Sequence, residues 1–446
     1  MIPVWPKVKL KTLYLGLYDG PHATPKESDT GAIFLGIKNV TEDGRLDLTE
    51  IRHIAEEDLG KWTKRVTPKK DDIVFSYEAT LHRYARIPNE FRGCLGRRMA
   101  LIRADKKKVN IDFLFSYFLS PLWRAEVERH ILSGATVDRI PLTNVPDFEL
   151  FLPPLEAQNK IAAILSAYDE LIENNLERIK LLEEMAQITY EEWFVRMKFP
   201  GHEEIEIDSN TGLPQEWKEQ DLNTSISIKH GYAYKGEFFC ADQTNRVLLT
   251  PGNFRIGGGI KLDKVKYYDE SAESPRDYLL KQHDLLVTMT DLSKKADTLG
   301  FPLLVPSSDT RTYLHNQRLG KVLPVGGLGF PKYFYYMLFK DEGYRAFVVG
   351  SATGATVKHS SPSKILAYKP KLPPLDGELI FKFNDLIGPI FETIDLLMKE
   401  SELLKEARDI LLPRLMTGII DIEKVELPEA LLERINKQNN NETNIG

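Results

Sequence analysis

The sequence predicts an α+β chain made by tandem duplication, in which a mixed α/β domain followed by a long helix occurs twice. Three observations carry this reading. The chain has 446 residues, a series of short motifs recurs at a nearly fixed offset, and two stretches of more than 30 residues carry helical periodicity. At roughly 150 residues per domain the length exceeds one hydrophobic core and predicts about three units. With 42% hydrophobic and 28% charged residues the composition excludes a disordered, collagen-like or disulfide-rich chain. Cys94 and Cys240 are too few for a disulfide framework or a four-cysteine zinc site, and both are expected to be buried and inert. Lys7, Lys9 and Lys11 interrupt the apolar N-terminus, so it does not read as a signal peptide. No segment approaches the roughly 20 apolar residues that cross a bilayer, and a cytoplasmic protein is expected.

The repeat organises the whole chain. SGATV at 133–137 returns as TGATV at 353–357, and LPPL at 152–155 returns at 372–375, both 220 positions on. The same offset joins Asp112-Phe113-Leu114-Phe115 to Lys332-Tyr333-Phe334-Tyr335, and Arg97-Arg98 to Gln317-Arg318. Upstream it slips to 212, where DIVFS (72–76) meets DLLVT (284–288) and Trp5 meets Trp217. The slip of 8 implies an insertion in the second copy, at roughly 296–312.

Within each copy, short apolar or β-branched runs such as DIVFS, MALIR (99–103), HDLLVT and KVLPV (321–325), bounded by Gly, Pro and Asp, predict strands. Residues 113–132 and 330–349 predict helical pieces broken at Pro121 and at Gly343. Pro146-Asp147-Phe148-Glu149 leads into a further strand, and LPPL separates each domain from a long helical stretch. After LPPL the apolar period changes. Ile161, Leu165, Tyr168, Ile172, Asn175, Ile179, Leu182, Ala186, Thr189 and Trp193 alternate spacings of four and three. Phe383, Ile387, Ile390, Ile394, Leu397, Ser401, Leu404, Arg408, Leu411 and Leu415 repeat the pattern 222 positions on. That is the seam of a helix pair. At 1.5 Å per residue each helix is about 50 Å long, too long to lie inside one small domain, so the two are expected to pack on each other. Asn175, Ser401 and Arg408 are polar seam positions that fix register at some expense of stability. Between the copies, 199–217 reads as an acidic linker or hairpin, and the tail from about 428 as polar and frayed.

The net charge of −6 argues at first against a polyanionic partner. Split by segment, however, residues 1–150 carry +3 and 221–370 carry +6, while 151–200, 201–220 and 371–446 carry −4, −5 and −6. The acid resides in helices, linker and tail, so nucleic acid is not excluded. Catalytic signatures are missing from the sequence. It has no G-x-x-x-x-G-K-[ST] loop, no H-E-x-x-H pair and no G-x-S-x-G elbow, and LPPL is not the N-P-P-[FYW] of an amino-methyltransferase. By elimination the chain is a binding module or scaffold, with no cofactor and no metal expected. A strand-to-loop junction recurs with different side chains in the two copies, which is what base-edge readout requires. In the first copy it offers Tyr77, His82 and Arg83, in the second Lys294 and Lys295. Arg97, Arg98, Gln317 and Arg318 suit guanine or adenine edges and phosphates, and Lys106, Lys107 and Lys108 suit phosphate. Tyr84, Tyr234 and Tyr313 are further aromatic candidates.

GATVDRI, LPPLEAQNKIAAILSAYDELIENN and LLEEMAQITYEEWFVRMKFPG, in this order, resemble the specificity subunit of a Type I restriction-modification system, as do DGPHATP (19–25) and GLPQEW (212–217). The resemblance implies two target recognition domains, at 1–152 and 221–372, each reading half of a bipartite double-stranded DNA site. It implies spacer helices at 153–200 and 373–418 forming an antiparallel coiled coil, a linker at 201–220 and a tail at 419–446. Two methyltransferase subunits and restriction subunits are the implied partners, and the chain itself is not an enzyme. Leu165, Ile172, Asn175, Ile179, Leu182, Ile394, Leu397, Leu404 and Leu411 are then seam residues. The second copy departs from the pattern at DGELIFKFN and at Pro389, where a proline kinks a helix. A coiled-coil scaffold bearing two domains for a ligand other than DNA is the rival reading, and a free-standing modification enzyme is disfavoured by the missing motifs.

Overall fold

The computed structural model describes residues 5–48, 50–132, 137–262, 264–293, 295–326 and 329–443. It divides into two compact units, 1–173 with 403–446 and 174–402, so each long helix contributes to both units.

The first unit holds strands β1 (Lys7–Lys9), β2 (Tyr14–Asp19), β3 (Ala32–Leu35), β4 (Arg52–Ile54), β5 (Ile73–Ser76), β6 (Tyr84–Arg86), β7 (Gly93–Leu95), β8 (Met99–Ala104) and β9 (Glu149–Phe151). Helices α1 (Leu59–Trp62), α2 (Ile111–Leu119), α3 (Pro121–Glu128) and the first half of α4 (Leu155–Tyr190) accompany them. An antiparallel sheet runs β2-β8-β5-β6, and a second runs β4-β3-β7 with β3 and β7 parallel. The four-stranded sheet is buried on both faces. Val74, Ala85 and Leu101 enter one core cluster, while Ile73, Phe75, Tyr84, Ala100 and Ile102 enter another with α2, α3 and α4. That double burial is why DIVFS is apolar without alternation. Ser120 closes α2 and caps α3 by accepting from Trp123 N at 3.3 Å, with Pro121 at the first helical position. β1 pairs with β9, Lys7 opposite Phe151, so the domain's first and last strands are neighbours.

The second unit repeats this plan with β10 (Lys218–Glu219), β11 (Ile226–His230), β12 (Phe239–Cys240), β13 (Arg246–Leu249), β14 (Lys266–Tyr268), β15 (Leu285–Thr288), β16 (Thr290–Asp291), β17 (Pro302–Leu304), β18 (Thr312–His315), β19 (Leu319–Pro324), β20 (Lys358–His359) and β21 (Lys371–Leu372). Its helices are α5 (Lys332–Leu338), α6 (Glu342–Gly350), α7 (Pro362–Leu366) and most of α8 (Glu378–Met416). The order β11-β19-β15-β17 and the closing pair β10-β21 reproduce the first unit, and β12-β14-β13-β18 reproduces its three-stranded sheet with β12 added at the edge. The inserted residues begin somewhat upstream of the expected 296–312 and overlap it, six of them between β15 and β17 and two between β17 and β18. The connection that runs 77–83 in the first copy runs 289–301 in the second, because the added chain builds β16, which pairs with β20. The break between α5 and α6 is likewise not at Gly343, which lies inside α6. It is at Asp341, whose side chain accepts from Tyr344 N at 3.1 Å.

α4 has 36 residues and α8 has 39. In the first unit Arg408 Nη1 donates to Asp169 at 2.6 Å, and in the second Asn175 Nδ2 donates to Glu400 at 3.0 Å, so the two helices run antiparallel. Leu165, Ile172, Asn175, Ile179, Ile394 and Leu397 are buried, with Leu182, Leu404 and Leu411 half-buried. α8 is continuous through Pro389, whose carbonyl accepts from Thr393 Oγ1 at 2.7 Å. The segment 199–217 is the hairpin alternative. Ile207 bridges Pro214, and Gly212 turns the chain at φ 68°. The tail is not frayed from 428 as expected but forms α9 (Glu429–Thr443), tied to the first unit by Arg434 on Glu170.

Candidate nucleic-acid interface

In the first unit three segments meet beyond the end of β5. Tyr77 N donates to Arg98 O at 3.2 Å, Ile140 N to Tyr77 O at 2.8 Å, and Ala79 N to Asp138 O at 2.9 Å. The loop 77–83, the turn from β7 to β8 and the stretch after GATV are thereby held as one surface. Met99 N closes the turn on Gly96 O at 3.2 Å. Gly20 lets β2 reach it, since a Cβ there would stand 2.5 Å from Gly96 O. Ala79, His82 and Arg98 have φ of 74°, 60° and 70°, a left-handed backbone that side chains disfavour and that clusters at ligand clamps.

On this surface Arg97 is exposed and has no ion-pair partner among the described residues. Arg98 beside it is held by Glu78 at 2.9 Å. Arg83 holds Glu42 at 2.5 Å. His82 is half-buried, and burial, then Arg124, pull its pKa down, so its ring is neutral at pH 7. One expectation needs correction. Tyr77 is 7% exposed, its ring packed in the core and its phenol pushed up by burial and then by Asp19 and Glu78, so only its backbone serves the surface. Lys106, Lys107 and Lys108 are exposed but follow the far end of β8, six residues or about 20 Å from Arg97 and Arg98. Lys106 pairs there with Asp71 at 2.9 Å. Tyr84, Tyr234 and Tyr313 are also core residues.

The second unit builds the same surface. Met289 N donates to Arg318 O at 3.1 Å, Ser360 N to Met289 O at 3.0 Å, and Leu319 N closes the turn on Asn316 O at 3.0 Å. Gly231 stands where Gly20 does, its Cβ position 2.2 Å from Asn316 O. Gln317, Arg318 and Lys295 are exposed, and Lys294 lies outside the described residues. Asp291 organises the longer loop. Burial opposes its ionisation, but hydrogen bonds from Ser293 and Thr298 hold the carboxyl below the usual range. The TGATV segment is a hairpin closed by Thr353 N on His359 O and by the reciprocal bond, both 2.9 Å. Residues 133–136 of the first copy lie outside the described residues. The sequence reading missed Glu78, Arg139, Lys358 and His359, although the repeated GATV just ahead of the last three was the signal that leads to them.

The long helices carry a second apolar stripe away from their seam. Leu181, Met185 and Ile188 of α4 are exposed, and so are Leu403 and Ile410, the residues of α8 that stand 222 positions after Leu181 and Ile188. Among the described residues no helix is long and apolar enough to cross a membrane, and no cluster of His, Cys, Asp or Glu could hold a metal ion.

Residues 24–184 match the family model described as the Type I restriction modification DNA specificity domain. The chain is 24% identical over 379 residues to the Type I restriction enzyme MjaIX specificity subunit of Methanocaldococcus jannaschii, covering 84% of this chain and 83% of that one. It is 21% identical over 330 residues to the MjaVIII specificity subunit of the same organism, covering 73% and 74%. Among solved structures it is similar to the S subunit of a Type I restriction-modification system from M. genitalium, at TM-score 0.48 and 15% identity, covering 93% of this chain and 96% of that one. Residues 24–184 are thus a Type I restriction modification DNA specificity domain, and with its duplicated α/β and helix plan the chain as a whole is similar to Type I specificity subunits.

Proposed function

We propose that residues 1–152 and 221–372 each read one half of a bipartite double-stranded DNA target, through the surfaces of 77–83 with 96–99 and of 289–301 with 316–319. The observation that carries this is one backbone frame built twice and dressed with different side chains. A common frame presents an equivalent face to each half-site, and different donors and acceptors read different bases. In the first unit Arg97, with Arg98, His82 and Arg83 around it, supplies base-edge and phosphate contacts; in the second Gln317, Arg318, Lys294 and Lys295 do so. Lys106, Lys107 and Lys108 are left to phosphates away from the bases. A DNA partner implies work in the cytoplasm.

The chain is part of a Type I restriction-modification complex, and within it we assign two methyltransferase subunits to the stripes at Leu181, Met185 and Ile188 and at Leu403 and Ile410. Two equivalent apolar faces suit two copies of one partner. Restriction subunits then join through the methyltransferases. The test is to map methylated motifs in a host with and without this gene. A bipartite motif that disappears with the gene supports the reading, and an unchanged set of motifs overturns it.

A further inference from the structure

We propose that Arg97 and Gln317 are the specificity-determining pair of the two surfaces: Arg97 reads a guanine in one half-site and Gln317 an adenine in the other. This rests on the DNA-reading function proposed above and names the bases read by two residues of it. Both occupy the second position of a four-residue turn, 96–99 and 316–319, closed by Met99 N on Gly96 O and Leu319 N on Asn316 O. Both turns are seated against a glycine, Gly20 or Gly231, and latched to the neighbouring loop through the carbonyl of the next residue, Arg98 or Arg318. The two side chains therefore leave the second position of equivalently placed turns, which differ in that Arg98 has φ 70° and Arg318 is not left-handed, and both are exposed, Arg97 without an ion pair among the described residues.

Their neighbours are occupied differently. Arg98 is paired with Glu78 at 2.9 Å, which leaves Arg97 as the free fork of the first turn. In the second turn Asn316 Oδ1 accepts from Arg318 N at 3.0 Å and Gln317 N donates to Tyr232 O at 3.0 Å, which fixes the backbone under Gln317. A guanidinium offers two parallel donors that match guanine O6 and N7, whereas a carboxamide offers one donor and one acceptor that match adenine N7 and N6. At one geometric position, these two side chains thus select different purines.

The test uses the specificity subunit assembled with its methyltransferase subunits, with methylated motifs and competition binding as readouts. Arg97→Gln is expected to lower the preference for guanine over adenine at one position of one half-site by about 10- to 100-fold, and Gln317→Arg to do the reverse in the other half-site. Arg97→Lys, which keeps the charge and loses the fork, is expected to lose base preference while keeping the salt dependence. Variants that leave every position of the motif unchanged overturn the proposal. So do variants that weaken all sequences alike, the mark of a phosphate contact, and variants that both act on one half-site. A wild-type complex without sequence-specific binding overturns the proposed function instead, and matched melting curves show that each variant is folded.

Discussion

Just ahead of the turn that carries Gln317, His315 donates from Nε2 to Leu319 O at 2.9 Å while almost wholly buried. Burial holds its pKa down to about 4, against the opposing pull of that hydrogen bond. An unfolded chain returns the ring to about 6.5 and binds a proton that the folded chain refuses. Stability is therefore complete above about pH 6.5 and declines towards pH 4, by on the order of 3 kcal/mol from this residue. Leu95 stands at the equivalent place in the first unit, so His315→Leu is expected to flatten the slope. Urea unfolding at pH 7.5, 6 and 5 checks this, and equal slopes in both proteins would contradict it. Asp169 poses the opposite problem. Burial outweighs Arg408 and raises its pKa. Arg408→Ala strands a carboxylate that is 38% exposed and partly screened, and a loss of about 1–2 kcal/mol is expected on denaturation. Residues of this kind were hardly legible in the sequence. His315, Tyr77 and Lys106 each belong to a type that can serve a surface or a core, and only the pairing of strands decides which.

At the scale of elements the outcome is more even. The strands at DIVFS and DLLVT, the break at Pro121 and the two long helices follow from apolar periodicity and proline, which act locally. The α5–α6 break was misplaced because a capping aspartate and a nearby glycine give competing local signals, and the tertiary packing of Tyr344 favours Asp341. α9 was missed because its composition is polar and its support comes from Glu170, remote in sequence. Two elements invite direct tests. Gly354 has φ 99°, and a Cβ would stand 2.0 Å from Val357 O. Gly354→Ala is thus expected to open the TGATV hairpin, costing about 1–3 kcal/mol and abolishing recognition of one half-site while the other still binds, as footprinting would read. The exposed stripe is a separate matter. Met185→Glu with Ile188→Glu is expected to leave the melting temperature within a few degrees and to abolish co-purification with a methyltransferase subunit. Undiminished co-purification would remove that stripe from the assembly.

For the whole molecule the repeat was the most legible feature, because duplication leaves collinear identity that no single fold requires. The boundary between the two compact units was not legible, since it falls inside α4 and α8, each of which contributes to both units. The helix pair yields a prediction about the target itself. Seven residues add about 10.5 Å to a helix, about three base pairs of DNA. The sequence alone suggests inserting them ahead of Leu182 and Leu404, but Asn175 faces Glu400 and the helices are antiparallel, so insertions after Asn175 and ahead of Glu400 fall at one level and keep the seam in register. A methylated motif with unchanged half-sites and a spacer longer by about three base pairs is expected, and an unaltered spacer would detach spacing from helix length. Binding should also weaken steeply with salt, by a hundredfold or more between about 50 and 200 mM.

The pairing of β1 with β9, and of β10 with β21, means that the chain enters and leaves each α/β domain through adjacent strands. Each domain thus packs its core on its helix but is joined to the rest of the chain through a two-strand neck, built alike in both halves. A gene segment spanning one neck to its return is a cassette, and recombination at those two short boundaries can install a foreign reader without recutting the helices. New targets would then arise by shuffling halves, faster than by accumulating point changes at a base-reading turn.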